Sequence, residues 1–216
     1  MHVYTVYIFA YTPYTTMPSS IPAAAKTDTA DRILAAARDI LDRDGLAEVA
    51  MRRVADRVGI TPMAIYRHYA DRASLLNAIA NQGFQELADR MHARPLNGGV
   101  ETRLAQLGET FVEFALQLPN LYELMFLAPR KGARLYPRDF KAGRSPTFSP
   151  SVKLLKEAMQ TGELRHDDPV EIAFEISALS HGLIVLYRGG RVGLSARKFR
   201  ILYRRSFRRY IHGLRP

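Results

Sequence analysis

The fold is decided by residues 53–76, which read RVADRVGITPMAIYRHYADRASLL. Apolar residues in the first part of this stretch follow the three- and four-residue spacing of one helix face. Gly59 suits a left-handed end to that helix, and Thr61 can cap the start of the next one. The pattern therefore predicts two short helices, at about 51–58 and 61–69, joined by a tight turn.

Longer helices are predicted on both sides of this pair. Residues 28–44 carry apolar side chains at helical spacing and end at Gly45. A fourth helix is expected to start after Asp71 and to continue to about Met91. Two short helices joined by a turn form a helix-turn-helix, whose second helix enters the major groove of DNA. The region thus predicts a DNA-binding unit.

The residue types on the second short helix suit contacts with DNA. Tyr66, Arg67 and His68 can reach base edges or phosphates, and the amides at the start of that helix can meet a phosphate. Tyr69 is expected in the core instead, and Tyr66 has the same alternative. Arginines at the starts of the neighbouring helices can hold backbone phosphates. The predicted DNA-binding residues are Arg52, Arg53, Thr61, Pro62, Met63, Ala64, Tyr66, Arg67, His68 and Arg72.

The stretch from Ile33 to Leu76 resembles the DNA-binding domain of the TetR family of regulators. The resemblance rests on Gly45, Val54-Ala55, Gly59-Ile60-Thr61, Ile65-Tyr66-Arg67-His68-Tyr69, Arg72 and Leu75-Leu76. It implies a dimeric regulator of about nine helices whose larger C-terminal part binds a ligand. Two positions depart from the family pattern: Ala50 stands where Ser or Thr is usual, and Ala70 where Lys is common. Both departures imply weaker contact with the DNA backbone.

The break at residues 95–99 is the predicted domain boundary. Further helices are expected at about 100–118, 119–126, 151–161, 170–187 and 195–213, with a basic loop over 129–150. No stretch shows the alternation of a β-strand, so the predicted fold is all-α. The predicted domains are a helix-turn-helix DNA-binding domain over residues 27–94 and a ligand-binding and dimerisation domain over residues 95–216.

Residues 1–26 form a separate segment. They carry several tyrosines and prolines without a helical period, which predicts a disordered tail. Met17 is an alternative start of the native chain.

Aromatic residues and methionines of the C-terminal part mostly suit a core. The resemblance implies that a ligand pocket lies among the same helices, and such pockets are largely apolar with few polar groups. His181, on the apolar face of its helix, is either a pocket residue or a core or interface histidine. The predicted pocket residues are Phe111, Phe114, Leu121, Tyr122, Met125, Phe126, Met159, Phe174 and His181.

The positive charge of the chain is concentrated at its C-terminus. The net charge is +10, and the stretch 188–216 holds ten basic residues and no acid, whereas residues 27–94 balance ten Arg against ten Asp or Glu. The resemblance implies that the last two helices pair with a second subunit, and the predicted interface residues are Ile184, Phe199, Tyr203, Phe207 and Tyr210. A basic amphipathic helix can instead bind nucleic acid without sequence preference or lie on an anionic membrane surface, which is the alternative function.

Several classes of protein are disfavoured by the sequence. The chain has no cysteine, which excludes disulfides, thiolate metal sites and thiol catalysis. No nucleophile elbow or phosphate loop is present, so an enzyme is not expected. His166, Asp167 and Asp168 are interpreted as a loop and helix start rather than a metal site.

The sequence therefore predicts a transcriptional repressor that needs no cofactor. It is expected to bind a near-palindromic operator in double-stranded DNA as a homodimer, and to leave it when a small, largely apolar inducer binds. No membrane partner is expected, and the expected location is the cytoplasm.

Overall fold

The computed structural model describes residues 28–216, so the predicted tail over 1–26 and the alternative start at Met17 lie outside the described residues. Between residues 28 and 216 the protein is helical and contains no strand, which confirms the all-α prediction. The helices are α1 Thr29–Asp44, α2 Met51–Val58, α3 Pro62–Tyr66, α4 Arg72–Ala93, α5 Val100–Gln117, α6 Pro119–Tyr122, α7 Arg138–Lys141, α8 Ser149–Gln160, α9 Pro169–Arg188 and α10 Ala196–His212.

Helices α1 to α3 form a small unit around a shared apolar core. Ile33, Val54 and Ile65, one from each helix, are completely buried in it. Gly59 ends α2 with a φ of 75°, a left-handed conformation that glycine adopts without steric cost. Thr61 begins α3 because its side chain accepts a hydrogen bond from the amide of Ala64. The predicted helix-turn-helix layout is present.

Helix α3 ends at Tyr66, three residues earlier than predicted. The amides of His68 and Tyr69 both donate to the carbonyl of Ile65. These two bonds close a turn at the end of α3, and the helix does not continue beyond it. The side chain of Tyr69 is half-buried and its hydroxyl donates to the carbonyl of Ala30 on α1. Tyr69 therefore packs against the core as expected.

Helix α4 connects the unit formed by α1 to α3 to the rest of the chain. A capping box fixes its start, with the Asp71 carboxylate accepting from the Ser74 amide and the Ser74 hydroxyl accepting from the Asp71 amide. Its packing partners are α1, α5 and a π-helical turn at Glu123–Leu127. A Cβ atom at Gly83 would lie 2.6 Å from the Met125 sulfur, so α4 approaches that turn closely only because residue 83 is glycine.

The C-terminal part packs around α5, which contacts α4, α8, α9 and α10. The predicted loop over 129–150 contains the short helix α7. Asp139 anchors this loop because its buried carboxylate accepts from Arg138, Arg144 and the Leu135 amide. The hydrogen bond from Arg138 is the main cause that holds the pKa of Asp139 well below its usual range.

Helix α9 is long and apolar enough, by length and composition, to span a membrane, and among residues 28–216 it alone meets that test. One side of α9 packs against α5, α8 and α10. The opposite side is exposed and includes Val185 and Leu186. The apolar character of α9 is thus explained only in part by burial within the chain.

Candidate DNA-binding surface and ligand cavity

The outer face of α3 and the turn after it form an exposed surface. Met63 and Tyr66 are 70% and 48% exposed, whereas Ile65 between them is fully buried. Arg67 and His68 are also exposed. Within residues 28–216, no hydrogen bond or ion pair engages the side chains of Tyr66, Arg67 or His68. These polar groups are therefore free to bind a molecule outside the protein.

The residues at the start of α3 have distinct local roles. The Thr61 hydroxyl is used as the helix cap, at 3.3 Å from the Ala64 nitrogen. Pro62 takes the first helical position, where its missing N–H costs nothing. Thr61 and Pro62 are exposed and Ala64 is half-buried. Together they present the start of α3 to solvent.

The three predicted phosphate-binding arginines differ in their surroundings. Arg52 is exposed, and no acid pairs with it in the described part of the chain. Arg53 pairs with Asp44 and Glu48, so its charge is already neutralised within the chain. Arg72 donates to the carbonyls of Val49 and Leu46, each at 2.6 Å.

Arg72 therefore has a structural role that the sequence did not reveal. In the connection between α1 and α2, the Arg72 guanidinium binds two backbone carbonyls, of which the Leu46 carbonyl also accepts from the Val49 amide. Ala50 stands at the cap position of α2 without a side-chain hydrogen bond, as its residue type requires. The phosphate-binding set stays a prediction: Arg52 has no acidic partner among the described residues, whereas Arg53 and Arg72 also make contacts within the chain.

A cavity of about 320 Å³ lies in the C-terminal part. It is bounded by α4, α5, the π-helical turn, the loop around α7, α8, α9 and α10. Its aromatic lining consists of Phe84, Phe111, Phe126, Phe140, Phe148, Phe174 and Phe207. A cavity of this size and apolar character is typical of a small-molecule site.

Five of the nine predicted pocket residues line this cavity: Phe111, Met125, Phe126, Phe174 and His181. The other four, Phe114, Leu121, Tyr122 and Met159, do not line it. Phe114, Leu121 and Tyr122 are completely buried in the surrounding core, and Met159 is half-buried against that core. Phe114 faces α4, where the Arg90 guanidinium lies 5.3 Å from its ring centroid. The apolar pattern did not distinguish cavity-facing from core-facing positions.

His181 forms a neutral polar point on the cavity wall. Its Nδ1 lies 2.7 Å from the Tyr122 hydroxyl, and its ring packs edge-on against Phe111. Burial lowers the pKa of His181 to about 4 and raises the pKa of Tyr122 to about 12. At neutral pH the pair is therefore uncharged, and His181 can offer a hydrogen bond but not a charge to a ligand.

Two arginines that the sequence analysis did not single out also line the cavity, Arg130 and Arg134. Arg130 donates to the carbonyls of Leu124 and Met125 and to Oδ1 of Asn77. The Arg134 guanidinium lies 4.7 Å from the ring centroid of Phe84. Both lie in the loop that was noted as basic, which was the only available signal.

The predicted interface residues are mostly buried within the protomer. Ile184, Phe199, Tyr203 and Phe207 are at most 2% exposed. Phe207 also lines the cavity, and Tyr210 is half-buried and donates to Glu175. Side chains that fill the protomer's own core cannot contact a partner, so we correct the prediction for Ile184, Phe199, Tyr203 and Phe207, while Tyr210 stays a prediction. The exposed apolar residues on these two helices are instead Phe174, Val185, Leu186 and Ile201.

The basic residues of α10 fall into two groups. Arg204 pairs with Glu109 on α5, and Arg208 pairs with Glu101 at the start of the same helix. The exposed residues Arg197, Lys198, Arg200, Arg205 and Arg209 have no acidic partner among the residues that the structure describes. Part of the C-terminal charge thus stabilises the fold, and part of it faces solvent.

Two protein-family models match the chain. The model described as bacterial regulatory proteins, tetR family, matches residues 33–79, which contain the helix-turn-helix. The model described as tetracyclin repressor-like, C-terminal domain, matches residues 104–212, about half of the chain. Together they cover the exposed α3 surface and most of the cavity lining, but not Phe84 and Met91 of α4.

A relative and two solved structures extend this result. The uncharacterized HTH-type transcriptional regulator YobS of Bacillus subtilis (strain 168) is 24% identical over 99 residues, which are 46% of this chain. The match spans about half of that relative's length, 52%. A protein of unknown function from Rhodococcus sp. RHA1 is 27% identical with a TM-score of 0.72, over 91% of this chain and 100% of that one.

The second structure is BioQ with its natural double-stranded DNA operator, which is 22% identical with a TM-score of 0.59. The likeness covers 87% of this chain and 98% of that one, and it shows a shared fold. With the family matches to both parts of the chain, these findings confirm the resemblance noted in the sequence. The chain belongs to the TetR family of bacterial regulatory proteins.

Proposed function

We propose that the protein is a transcriptional repressor which binds a near-palindromic operator as a homodimer and releases it when a small, largely apolar ligand fills the cavity. The observation that carries this proposal is the α3 surface, where Tyr66, Arg67 and His68 are exposed and have no side-chain partner among residues 28–216. Helix-turn-helix geometry places this helix in the major groove. The role is one of binding rather than catalysis, and the proposed location is the cytoplasm.

The contacts with DNA divide into two kinds. Tyr66, Arg67 and His68 are proposed to read base edges, while Arg52 holds a backbone phosphate. In a dimer, two copies of α3 would enter successive major grooves about 34 Å apart on one face of the duplex. The operator would then be an inverted repeat. BioQ, which shares this fold, has been solved with its operator DNA, and this supports the proposal.

The exposed side of α9 supports the homodimer. Val185 and Leu186 are 42% and 49% exposed, and Ile201 on α10 is 54% exposed. Ala178 and Gly182 lie on the same side of α9 and are exposed as well, which allows another helix to approach closely. A second copy of the chain would cover this apolar face. The corrected interface prediction is therefore this outer face, not the inner face of α10.

A pair of leucine substitutions tests the interface. Leu186→Lys places a charge on the apolar face beside an already basic helix, so we expect the dimer to dissociate. Leu135→Lys makes the same change at a leucine that is 59% exposed in the α7 loop, and it should leave the dimer intact. Sedimentation equilibrium measures both variants. A dimer that survives Leu186→Lys would contradict the proposed interface.

Ligand binding can reach the DNA-binding unit through two contacts. Helix α4 lines the cavity with Phe84 and begins directly after the α3 surface. Asn77 on α4 accepts a hydrogen bond from Arg130 of the cavity wall. Asn120, at the start of α6, donates to the carbonyls of Leu41 and Asp42 at the end of α1. A ligand that shifts the cavity wall would thereby change the spacing of the two α3 helices.

Selection of bound sites from a random duplex library is the experiment that tests the DNA-binding part. It is run at moderate salt, because phosphate contacts weaken steeply as salt rises. We expect an enriched inverted repeat. Binding without any enriched sequence, together with a steep loss at higher salt, would contradict the proposal. That outcome would point to the unpaired basic residues of α10 and to binding without sequence preference.

A further inference from the structure

The charges that face the cavity are all of one sign. Arg130 and Arg134 are the charged residues of the lining, and no Asp or Glu lines the cavity. His181 adds no further positive charge at neutral pH, because burial lowers its pKa to about 4. The acid in the surrounding loop, Asp139, is already engaged by Arg138 and Arg144. A cavity lined otherwise by apolar side chains, Ser and Thr residues and the neutral His181 therefore carries positive charge without a counter-ion in the described residues.

The two guanidiniums also retain unused hydrogen-bond donors. Arg130 donates once from each of its three nitrogens, which leaves an N–H on both terminal nitrogens. Arg134 uses only Nε, which donates to the Arg144 carbonyl at 2.8 Å. Burial, with a contribution from the neighbouring charge of Arg134, lowers the pKa of Arg130. Both groups are half-buried, so an anion between them would offset their repulsion and desolvation.

We infer that the cavity takes an amphipathic carboxylate, with its acid group against Arg130 and Arg134 and its hydrocarbon or aromatic body among the phenylalanines. Planar guanidinium groups bind carboxylates through charge-assisted, frequently paired hydrogen bonds. A neutral ligand would leave partly buried donors unmatched, and a cation would be repelled. A doubly charged phosphate would lose more hydration on entering an aromatic cavity. The inference deepens the proposed function by naming the class of the ligand.

Matched ligands of equal length test the inference by isothermal titration calorimetry on the full chain. The probes are decanoate, decan-1-ol and decylamine, with naphthalene-2-carboxylate and naphthalene-2-methanol as an aromatic pair. A hydrogen-bonded charge pair strengthens binding by about tenfold or more, so each carboxylate should bind at least about tenfold more tightly than its alcohol. The amine should bind most weakly.

Arg134→Met and a matched control assign the preference to the cavity. Arg134 makes a single internal hydrogen bond, so its loss should leave the fold intact, which a thermal melt checks. We expect decanoate to bind at least about tenfold more weakly, while decan-1-ol binds as before. Lys131→Met removes the same charge from an exposed neighbour outside the cavity lining, and should change neither affinity.

Several results would overturn the inference. They are equal affinities for carboxylate and alcohol, no measurable binding of either carboxylate, equal effects of Arg134→Met and Lys131→Met, or tighter binding of decyl phosphate than of decanoate. Operator release separates this inference from the proposed function. If decanoate binds through Arg134 but does not release the enriched operator, the ligand class stands and the repressor proposal fails. If decan-1-ol releases the operator as well as decanoate does, the repressor stands and the ligand class fails.

Discussion

The α3 surface and the C-terminal cavity combine folding and binding in different ways. In α3, Ile65 packs into the core while Tyr66 and Arg67 project into solvent, so folding and binding rest on different residues. In the cavity, Arg130 both faces the interior and holds three backbone or side-chain oxygens. His181 likewise lines the cavity and holds the Tyr122 hydroxyl. Substitutions should therefore separate folding from binding at α3 but mix them at Arg130 and His181.

Arg67→Ala is expected to have the largest effect on operator affinity, and it tests whether folding and binding are separate at α3. Loss of one base or phosphate contact costs about 1–3 kcal/mol, and a dimer loses two, so operator affinity should fall by about thirtyfold or more. The free energy of unfolding should change by less than about 0.5 kcal/mol, as for other exposed residues. Fluorescence anisotropy with the enriched operator and urea unfolding measure the two quantities.

Arg165→Ala is the matched control, since it removes an exposed arginine far along the chain from the helix-turn-helix. It should leave both operator affinity and stability unchanged. If Arg67→Ala unfolds the protein, Arg67 supports the core, and the separation of folding and binding at α3 is wrong.

His181→Gln, in the cavity, is expected to have an intermediate effect on the pH dependence of stability. The pKa of His181 is lowered from 6.5 to about 4, so between these values the unfolded chain binds a proton that the folded chain does not. The stability contributed by the neutral ring is complete above pH 6.5 and is lost as the pH falls towards 4. From pH 7 to pH 5 this loss is about 2 kcal/mol. Glutamine does not titrate, so the free energy of unfolding of the variant should fall by correspondingly less between pH 7 and pH 5.

Urea unfolding at pH 7 and pH 5 measures this difference. His166→Gln, at an exposed histidine, is the control and should keep the pH dependence of the unchanged protein. A variant that loses as much stability between the two pH values as the unchanged protein would show that His181 is not buried in its neutral form.

The helices and the helix-turn-helix could be predicted because their determinants are local. The spacing of apolar residues identifies the buried face of each helix. Gly59 ends α2 and Asp71 caps α4, and each of these signals lies within a few residues of the helix that it bounds. The exposed face of α3 follows from the same local pattern. The end of α3 was less well predicted, because the residue types that follow Ile65 suit both a closing turn and a further turn of helix.

The inner face of α10 shows what a sequence pattern leaves open. Phe199, Tyr203 and Phe207 were correctly recognised as an apolar face, but the pattern does not say which surface covers that face. In the protein α5 and α9 cover it, with Tyr187 stacked on Phe199 at 4.1 Å. Gly108 makes this possible, since a Cβ atom there would lie 2.7 Å from the Tyr203 hydroxyl. Nothing near Gly108 in the sequence predicts that approach.

The cavity arginines were missed for a related reason. Arg130 and Arg134 lie in a loop, and only the folded chain brings them beside Phe84 of α4 and into the same cavity lining as His181 of α9. Arg72 shows the converse case. Its charge and position suit a phosphate contact, but its guanidinium donates to backbone carbonyls within the chain. Charge and spacing identify candidates, while the availability of a side chain depends on partners distant in the sequence.

The smallest expected effect lies at the contact that joins the two regions. The Asn120 side chain donates to the carbonyls of Leu41 and Asp42 at 3.0 and 3.1 Å in the last turn of α1, where the Leu41 carbonyl also accepts from the Gly45 amide. Asn120→Ala should lower the free energy of unfolding by about 1 kcal/mol, because water can replace part of these bonds. Ligand affinity should not change, since Asn120 does not line the cavity.

The informative quantity is the ratio of operator affinities without and with a saturating cavity ligand. If Asn120 links the cavity wall to α1, this ratio should shrink in Asn120→Ala, whereas Asn81→Ala, at an exposed position on α4, should preserve it. An unchanged ratio would assign the coupling to α4 and to the contact between Asn77 and Arg130. The α3 surface and the cavity would then be coupled through α4 alone. The contact between Asn77 and Arg130 would both hold a charged residue of the cavity wall and transmit ligand binding to the α3 surface.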